Sequence, residues 1–254
     1  MKISIQVLMR MAIVALLPRG WLLKAILANG ARVYGKNRAG FGGRGVYIYR
    51  DALEPEFQYL ERFLDPSGVF VDVGANTGIY SIKAAKHYGT SGVVLAIEPF
   101  PDVLATLYYS VQANRFSNVR LRNFCAGERT QAMSLWMNFG KPNSFSLIKR
   151  DPSALPLSIL TVSLDDLFQW EGLERLDYLK IDAEGSEQQV LTGAKSVIEK
   201  HRPIIQLEVS IADVSVPLSD YSIFCAPHSP NKVYIPNEHP KLEIPKQLGW
   251  GKIK

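Results

Sequence analysis

The segment VFVDVGANTG at 69–78 confines this chain to a narrow set of folds. An apolar strand carries Asp72, turns through Gly74 and Gly78, and enters a helix whose apolar positions are Ile79, Ile82 and Ala85. A second apolar strand, Val93 to Ile97, ends in Glu98, 20 residues beyond Gly78. Strand, glycine loop, helix, strand and acid is the order in which a parallel α/β sheet holds an adenosine-containing cofactor. The glycines let the backbone approach the ligand, and the second acid accepts hydrogen bonds from the ribose hydroxyls.

The loop spacing narrows the cofactor. A dinucleotide wants G-x-G-x-x-G, because a pyrophosphate must lie on bare amides at a helix N-terminus. Here the spacing is Gly74-x-x-x-Gly78 with Asp72 just before it. A carboxylate there repels a pyrophosphate but tolerates the cationic amino and sulfonium groups of S-adenosylmethionine, which is therefore favoured over NAD. Gly74, Asn76 and Gly78 are expected around the methionine part, with Asp72 nearby and Glu98 on the ribose. Phe100 is placed either against the adenine or in the core. The adenine edge is expected at Cys125–Ala126–Gly127, with Ala126 as the contact and Glu128 as the nearest acid. An NAD-dependent oxidoreductase and a non-catalytic nucleoside-binding module on the same fold remain as alternatives.

From residue 69 strand and helix alternate, the pattern of a parallel sheet covered on both faces. Pro101–Asp102 opens a helix with Leu104, Leu107, Tyr108 and Val111 on its apolar face, and Val119 to Phe124 reads as a third strand. Between Met133 and Leu160 the pattern loosens into an insertion above the sheet, with a short strand near Ser134–Met137. Ser163-x-x-Asp166 reads as a helix cap and Ser186-x-x-Gln189 as a capping box. Strands are expected at Leu176–Ile181 and Pro203–Val209, and a final hairpin at Tyr221–Cys225 and Lys232–Ile235. The stretch from Pro236 reads as a surface tail with little regular structure. The domain is therefore drawn over 51–236, with a tail over 237–254.

Residues 1–50 carry nine Lys or Arg and no Asp or Glu, which leaves 20 basic against 24 acidic side chains in the rest of the chain. This basic, apolar front is read as helical: one helix to Leu17, and a second over Trp21–Ala28. The run is short for a membrane span, since Arg10 interrupts it and Pro18 ends it. It has no clear signal-peptide cleavage site. Two roles fit it, a cap over the substrate cleft or peripheral contact of residues 1–30 with an anionic membrane. Nucleic acid is disfavoured because the cations are interleaved with aliphatic side chains. Cys125 and Cys225 sit in no zinc or disulfide pattern, so a reducing, cytoplasmic setting is expected.

Across residues 69–212 the chain resembles the FkbM family of S-adenosylmethionine-dependent methyltransferases. The resemblance is carried by VDVGANTG at 71–78, AIEPFPD at 96–102, TVSLDDL at 161–167, LKIDAEGSEQQVLTGA at 179–194 and IQLEV at 205–209. It implies an α/β class I methyltransferase (Rossmann-like) sheet, mostly parallel with an antiparallel last strand and helices on both faces. It also implies methyl transfer to a hydroxyl oxygen, commonly on a sugar, glycan or polyketide-like acceptor.

In such a sheet the ligand lies at the carboxyl ends of the strands, where Asp72, Glu98, Asp182 and Glu208 all fall. Methyl transfer to oxygen needs collinear reacting atoms and a base for the hydroxyl proton. Asp182 is the first candidate base and Glu184 the second. Lys180, on the same side of its strand as Asp182, would orient a carboxylate. A Mg²⁺ held by Asp182, Glu184 and Glu208 is the alternative way to acidify the hydroxyl. Asn143–Ser144–Phe145–Ser146 is expected either to hydrogen-bond the acceptor or simply to turn the chain. No histidine has a partner at catalytic spacing. The expected partner is a small-molecule or glycan acceptor; oligomeric state is not legible.

Overall fold

The computed structural model describes residues 4–38, 43–137, 145–146, 155–208 and 218–253. The chain runs α1 (Ile5–Leu16), β1 (Leu22–Ile26), β2 (Arg32–Lys36), α2 (Gly43–Tyr49), α3 (Leu60–Phe63), β3 (Val69–Val73), α4 (Ile79–Tyr88), β4 (Val93–Ile97), α5 (Pro101–Asn114), β5 (Val119–Arg122) and β6 (Cys125–Ala126). It continues β7 (Gln131–Met137), β8 (Phe145–Ser146), β9 (Leu155–Val162), α6 (Leu164–Glu171), β10 (Tyr178–Ile181), α7 (Glu187–Thr192), α8 (Lys195–His201), β11 (Ile204–Glu208), β12 (Tyr221–Cys225), β13 (Asn231–Pro236), α9 (Ile244–Gln247) and β14 (Gly251–Ile253).

Eight strands form the main sheet in the order β14-β12-β13-β11-β10-β3-β4-β5. The five strands from β11 to β5 are parallel. β13, β12 and β14 join antiparallel. Strand order reverses between β3 and β10, and this opens a crevice at their carboxyl ends. All five residues of β3 are buried, as a central parallel strand covered on both faces requires.

Alternation along each strand sends Phe70, Val94, Tyr178 and Ile204 to one face, packed with Ile82, Leu107 and Val111 of α4 and α5. Val71, Leu95, Leu179 and Ile205 go to the other, under Leu164, Leu167, Val190 and Ile198. The expected fold class is the one observed. Ser163 Oγ accepts from the amide of Asp166, the expected cap of α6. Four expectations need correction.

Trp21–Ala28 is not a helix. β1 and β2 pair antiparallel as a hairpin, Leu22 opposite Lys36 and Ile26 opposite Arg32. The burial of Leu23, Ala25 and Leu27 between exposed neighbours has a period of two. Gly30, at φ +83°, supplies the left-handed turn residue, and Asn29 ties that turn to Glu61 and to the Lys83 carbonyl.

The stretch 237–254 is no loose tail either: α9 and β14 complete the sheet edge, Ile253 pairing with Ile223, and buried Trp250 stacks on Phe63. One large aromatic in a core pocket holds a segment whose composition is otherwise that of a loop. On α5, Tyr108 is exposed, because the buried stripe runs through Val103, Thr106, Leu107, Ser110 and Val111. The Ser186 side chain caps nothing; Glu187 instead ties down the preceding turn, its Oε1 accepting from the amides of Ala183 and Gly185.

The 133–160 insertion is built on a β7–β9 ribbon in a separate four-stranded sheet, Gln131 opposite Thr161 through Met137 opposite Leu155. Among the described residues no helix is long and apolar enough to cross a membrane.

Asn37 joins the front segment to the body. It is buried, and its Nδ2 donates to the carbonyls of Val14, Leu17 and Pro18, satisfying the end of α1. Asn37→Ala removes these donors and is expected to cost about 2 kcal/mol, read as a lower urea midpoint.

Candidate active site

The cofactor loop is shaped by backbone conformations that few residues adopt. Gly74, Asn76 and Gly78 have φ of +70°, +52° and +78°. The amides of Gly74 and Ala75 both donate to the Ile97 carbonyl, which seats the loop against the end of β4. A Cβ on Gly74 would lie 1.8 Å from the backbone oxygen of Asp182, so only glycine lets β10 approach. Asn76 suits the left-handed region, with its Oδ1 accepting from the Thr77 amide at 2.8 Å.

Glu98 faces this loop. Its Oε2 accepts from the Asn76 amide and its Oε1 from the Phe100 amide, both at 2.9 Å. Burial pushes its carboxyl up to about 7, against the opposing pull of those two amides. Each oxygen keeps a second lone-pair direction, so both ribose hydroxyls have an acceptor. The glycine cradle and this buried acid fit the nucleoside end of S-adenosylmethionine. Phe100 is half-buried at the start of α5. Ala126 is buried in β6, pairing with Val162, so its side chain is part of the core. Neighbouring Cys125 has its thiol pushed up to about 12, by burial first and then by the charge of Glu98. Asn123, missed in the sequence, ties that corner by donating to the carbonyls of Glu98 and Pro99.

Asp72 does not reach the crevice. It is fully buried beneath the loop, where Oδ2 accepts from the Ser81 amide and hydroxyl and Oδ1 lies 3.7 Å from Lys180 Nζ. It braces the start of α4 and pairs with Lys180 rather than touching the cofactor. Burial raises its pKa, with Lys180 and Ser81 opposing.

The sheet register sets Lys180 beside both Asp72 and Gln206. Lys180 Nζ is 3.4 Å from Asp182 Oδ2 and sits over the Tyr80 ring, 5.0 Å from its centre. Burial on its own would lower the Lys180 pKa, but Asp182, Asp72, Glu54 and Glu208 together raise it, so the ammonium stays charged. Asp182 is partly open to solvent at the end of β10, and Glu208 ends the adjacent β11. Burial, the charge of Asp182 and a hydrogen bond with Asp182 push Glu208 up to about 8. That rise favours the protonated form of Glu208 beside Asp182 at neutral pH.

Glu184 stands exposed in the turn that follows, at φ +51°. Among the described residues no three acidic, His or Cys side chains are grouped to hold a metal ion. Between Asp72 and Asp182 the cation is Lys180. Asn143 and Ser144 lie outside the described residues.

A second group of residues reaches the same place and carries no sequence signal. Tyr80 donates its hydroxyl proton to Glu54, which also accepts from Asn231 Nδ2 at 3.1 Å. Gln206 Nε2 donates to the Tyr80 oxygen at 2.9 Å, Tyr178 donates to Gln206, and Asn231 also donates to Glu56. Burial raises the Glu54 pKa, while Lys180 and Tyr80 pull it down. LEPEF at 53–57 precedes the first core strand by a dozen residues and has no recognisable spacing; only its packing brings Glu54 to Lys180.

At the β3–β10 switch point the glycine turn, buried Glu98 and the Lys180–Asp182 contact share one crevice, and the chain is a methyltransferase by its family. The methyltransferase FkbM domain matches residues 72–215, more than half of the chain, and this protein belongs to that family. "Methyltransferase 1" of Beauveria bassiana is 26% identical over 169 residues, covering 56% of this chain and 68% of its own length. "Methyltransferase sdnD" of Sordaria araneosa is 25% identical over 199 residues, 63% of this chain and 75% of its own. The crystal structure of methyltransferase FkbM from Methylobacillus flagellatus superposes with a TM-score of 0.49 at 21% identity, covering 76% of this chain. This chain spans 53% of that solved chain.

Proposed function

We propose that the protein is an S-adenosylmethionine-dependent O-methyltransferase that modifies a hydroxyl of a sugar, glycan or other polyhydroxylated acceptor. One observation carries this reading: Asp182, 3.4 Å from Lys180, stands next to Gly74, whose missing Cβ lets β10 reach the cofactor loop. S-adenosylmethionine brings an activated methyl group, so the protein's task is position and proton removal.

Glu98 and the amides of the loop hold the nucleoside. Lys180 Nζ, 3.4 Å from Asp182 Oδ2, and Glu208 at the end of the adjacent strand hold the Asp182 carboxyl in place. Asp182 accepts the acceptor's hydroxyl proton as the new C–O bond forms, a role worth about a hundredfold or more. The acidic side chains Glu54, Asp72 and Asp182 around one ammonium disfavour an anionic acceptor and suit a neutral, hydroxyl-rich one. A cytoplasmic setting belongs to the same reading.

Calorimetry with S-adenosylhomocysteine and with NADH tests the cofactor; binding of NADH alone refutes the proposal. Labelled methyl transfer into sugar and glycan acceptors tests the reaction, and labelling of nitrogen acceptors alone overturns the O-methyl assignment.

Glu98 gives this binding a pH signature. Ribose hydroxyls donate to the ionised carboxylate, so binding below pH 7 must expel a proton. Affinity for S-adenosylhomocysteine is expected to rise by up to about tenfold per pH unit from pH 5 to 7 and to level off above. In the apoprotein the sign is reversed: a carboxyl raised from its ordinary 4.5 to about 7 stabilises the fold fully below pH 4.5. That contribution, on the order of 3 kcal/mol, is lost as pH climbs through 7. Glu98→Gln should flatten both slopes, measured by calorimetry in two buffers and by denaturation across pH.

A further inference from the structure

Among the described residues the outer face of α1 has no partner. Val7, Val14 and Leu17 turn inward onto Leu23 and Ile48. Ile5, Leu8, Met9, Met11, Ile13 and Leu16 stand outside, Leu16 at 86% and Ile5 at 76% exposed. The one charged side chain of this helix, Arg10, folds back so that its Nε donates to the Gln6 carbonyl. The apolar surface continues along the chain through Trp21, 56% exposed, onto the outer face of β1, where Leu22 and Ile26 flank Lys24. Exposed Arg19 lies just before Trp21, and Arg32 sits opposite Ile26.

Charge decides what such a face meets. Residues 1–50 hold nine cations and no anion, while the rest of the chain, with 20 basic and 24 acidic side chains, carries a net −4. Pairing this face with a second copy would bring two cationic segments together. A nucleic acid would leave the aliphatic side chains without a partner. An anionic bilayer satisfies both halves of the pattern: apolar side chains and Trp21 enter the headgroup boundary, cations meet lipid phosphates, and the acidic body is turned outward. At about 18 Å, α1 is too short to cross the roughly 30 Å hydrocarbon layer, so it lies along the surface.

We propose that the outer faces of α1 and β1, from Ile5 to Ile26, form an interfacial surface that docks the protein on anionic phospholipid membranes.

The test is co-sedimentation of the full chain with vesicles of phosphatidylcholine, alone and with about 30% phosphatidylglycerol. The expected result is at least about tenfold stronger binding to the anionic vesicles, falling as salt is raised. Met9→Gln with Leu16→Gln, both on the exposed face, should weaken it about tenfold with an unchanged unfolding midpoint. Arg19→Gln with Lys24→Gln should remove the preference for anionic lipid. Failure to bind either vesicle, equal binding to both, or binding indifferent to the α1 substitutions overturns the proposal. So does a dimer in sedimentation equilibrium that Met9→Gln with Leu16→Gln dissociates, since that assigns the face to a second copy. None of these readouts depends on the cofactor or on methyl transfer.

Discussion

Asp182→Asn is expected to lower the methyl-transfer rate about a thousandfold while leaving the affinity for S-adenosylhomocysteine within about threefold. An amide keeps the shape and the contact with Lys180 but has no basic oxygen, so the acceptor proton has nowhere to go. The cofactor loop makes its own contacts through Glu98 and its amides, on the far side of β3 from β10. Glu208→Gln provides the contrast. At neutral pH Glu208 is already protonated, its carboxyl standing near 8, so glutamine mimics it and activity at pH 7 should change little. In the wild type, ionisation of Glu208 near pH 8 sets a second carboxylate against Asp182 and removes the donor that orients it. The alkaline fall in rate should therefore begin near pH 8 and move upward in Glu208→Gln. Equal turnover for Asp182→Asn and wild type would eliminate Asp182 as the base.

Gly74→Ala is expected to cost about 4 kcal/mol of stability and to abolish measurable cofactor binding in whatever protein still folds. Two costs add. The residue sits at φ +70°, which an L side chain resists by about 1 kcal/mol or more. Its Cβ would also fall 1.8 Å from the Asp182 carbonyl oxygen, so the ends of β3 and β10 must separate where both catalysis and the loop depend on their closeness. Gly78→Ala calibrates the effect. That residue has φ +78°, but its Cβ would meet Leu107 Cδ1, the far end of a flexible side chain. A loss of only about 1–2 kcal/mol is expected there. Chemical denaturation of both variants measures the difference; equal losses would mean that the approach of β10 to the loop is not what the glycine protects.

Much of the site was legible in the chain because its signals are local. Gly74, Gly78 and Glu98 are separated by one strand–helix–strand unit, and Asp182 ends a strand followed by an unmistakable turn. The exceptions have local reasons too. Asp72 alternates onto the face of β3 that packs under α4, which turns its carboxylate toward Ser81 and Lys180. Ser186 makes no cap bond, and the Glu187 side chain turns back to the amides of Ala183 and Gly185 in the turn before α7. Trp21–Ala28 contains enough apolar residues to satisfy either a helix or a strand. The Asn29–Gly30 turn favours the strand and was the available clue.

The order of strands and helices, the cradle glycines and the acids at strand ends were written in the linear order of residues, because backbone period and turn chemistry act over a few positions. Partnerships across the molecule were not. Lys180 meets Asp72 through the register of β10 on β3, and Glu54 and Asn231 meet through a fold that closes 177 positions of chain. Trp250 returns to Phe63 in the same way. Such contacts are selected by how whole faces bury their apolar surface against one another, a choice no short stretch of residues contains.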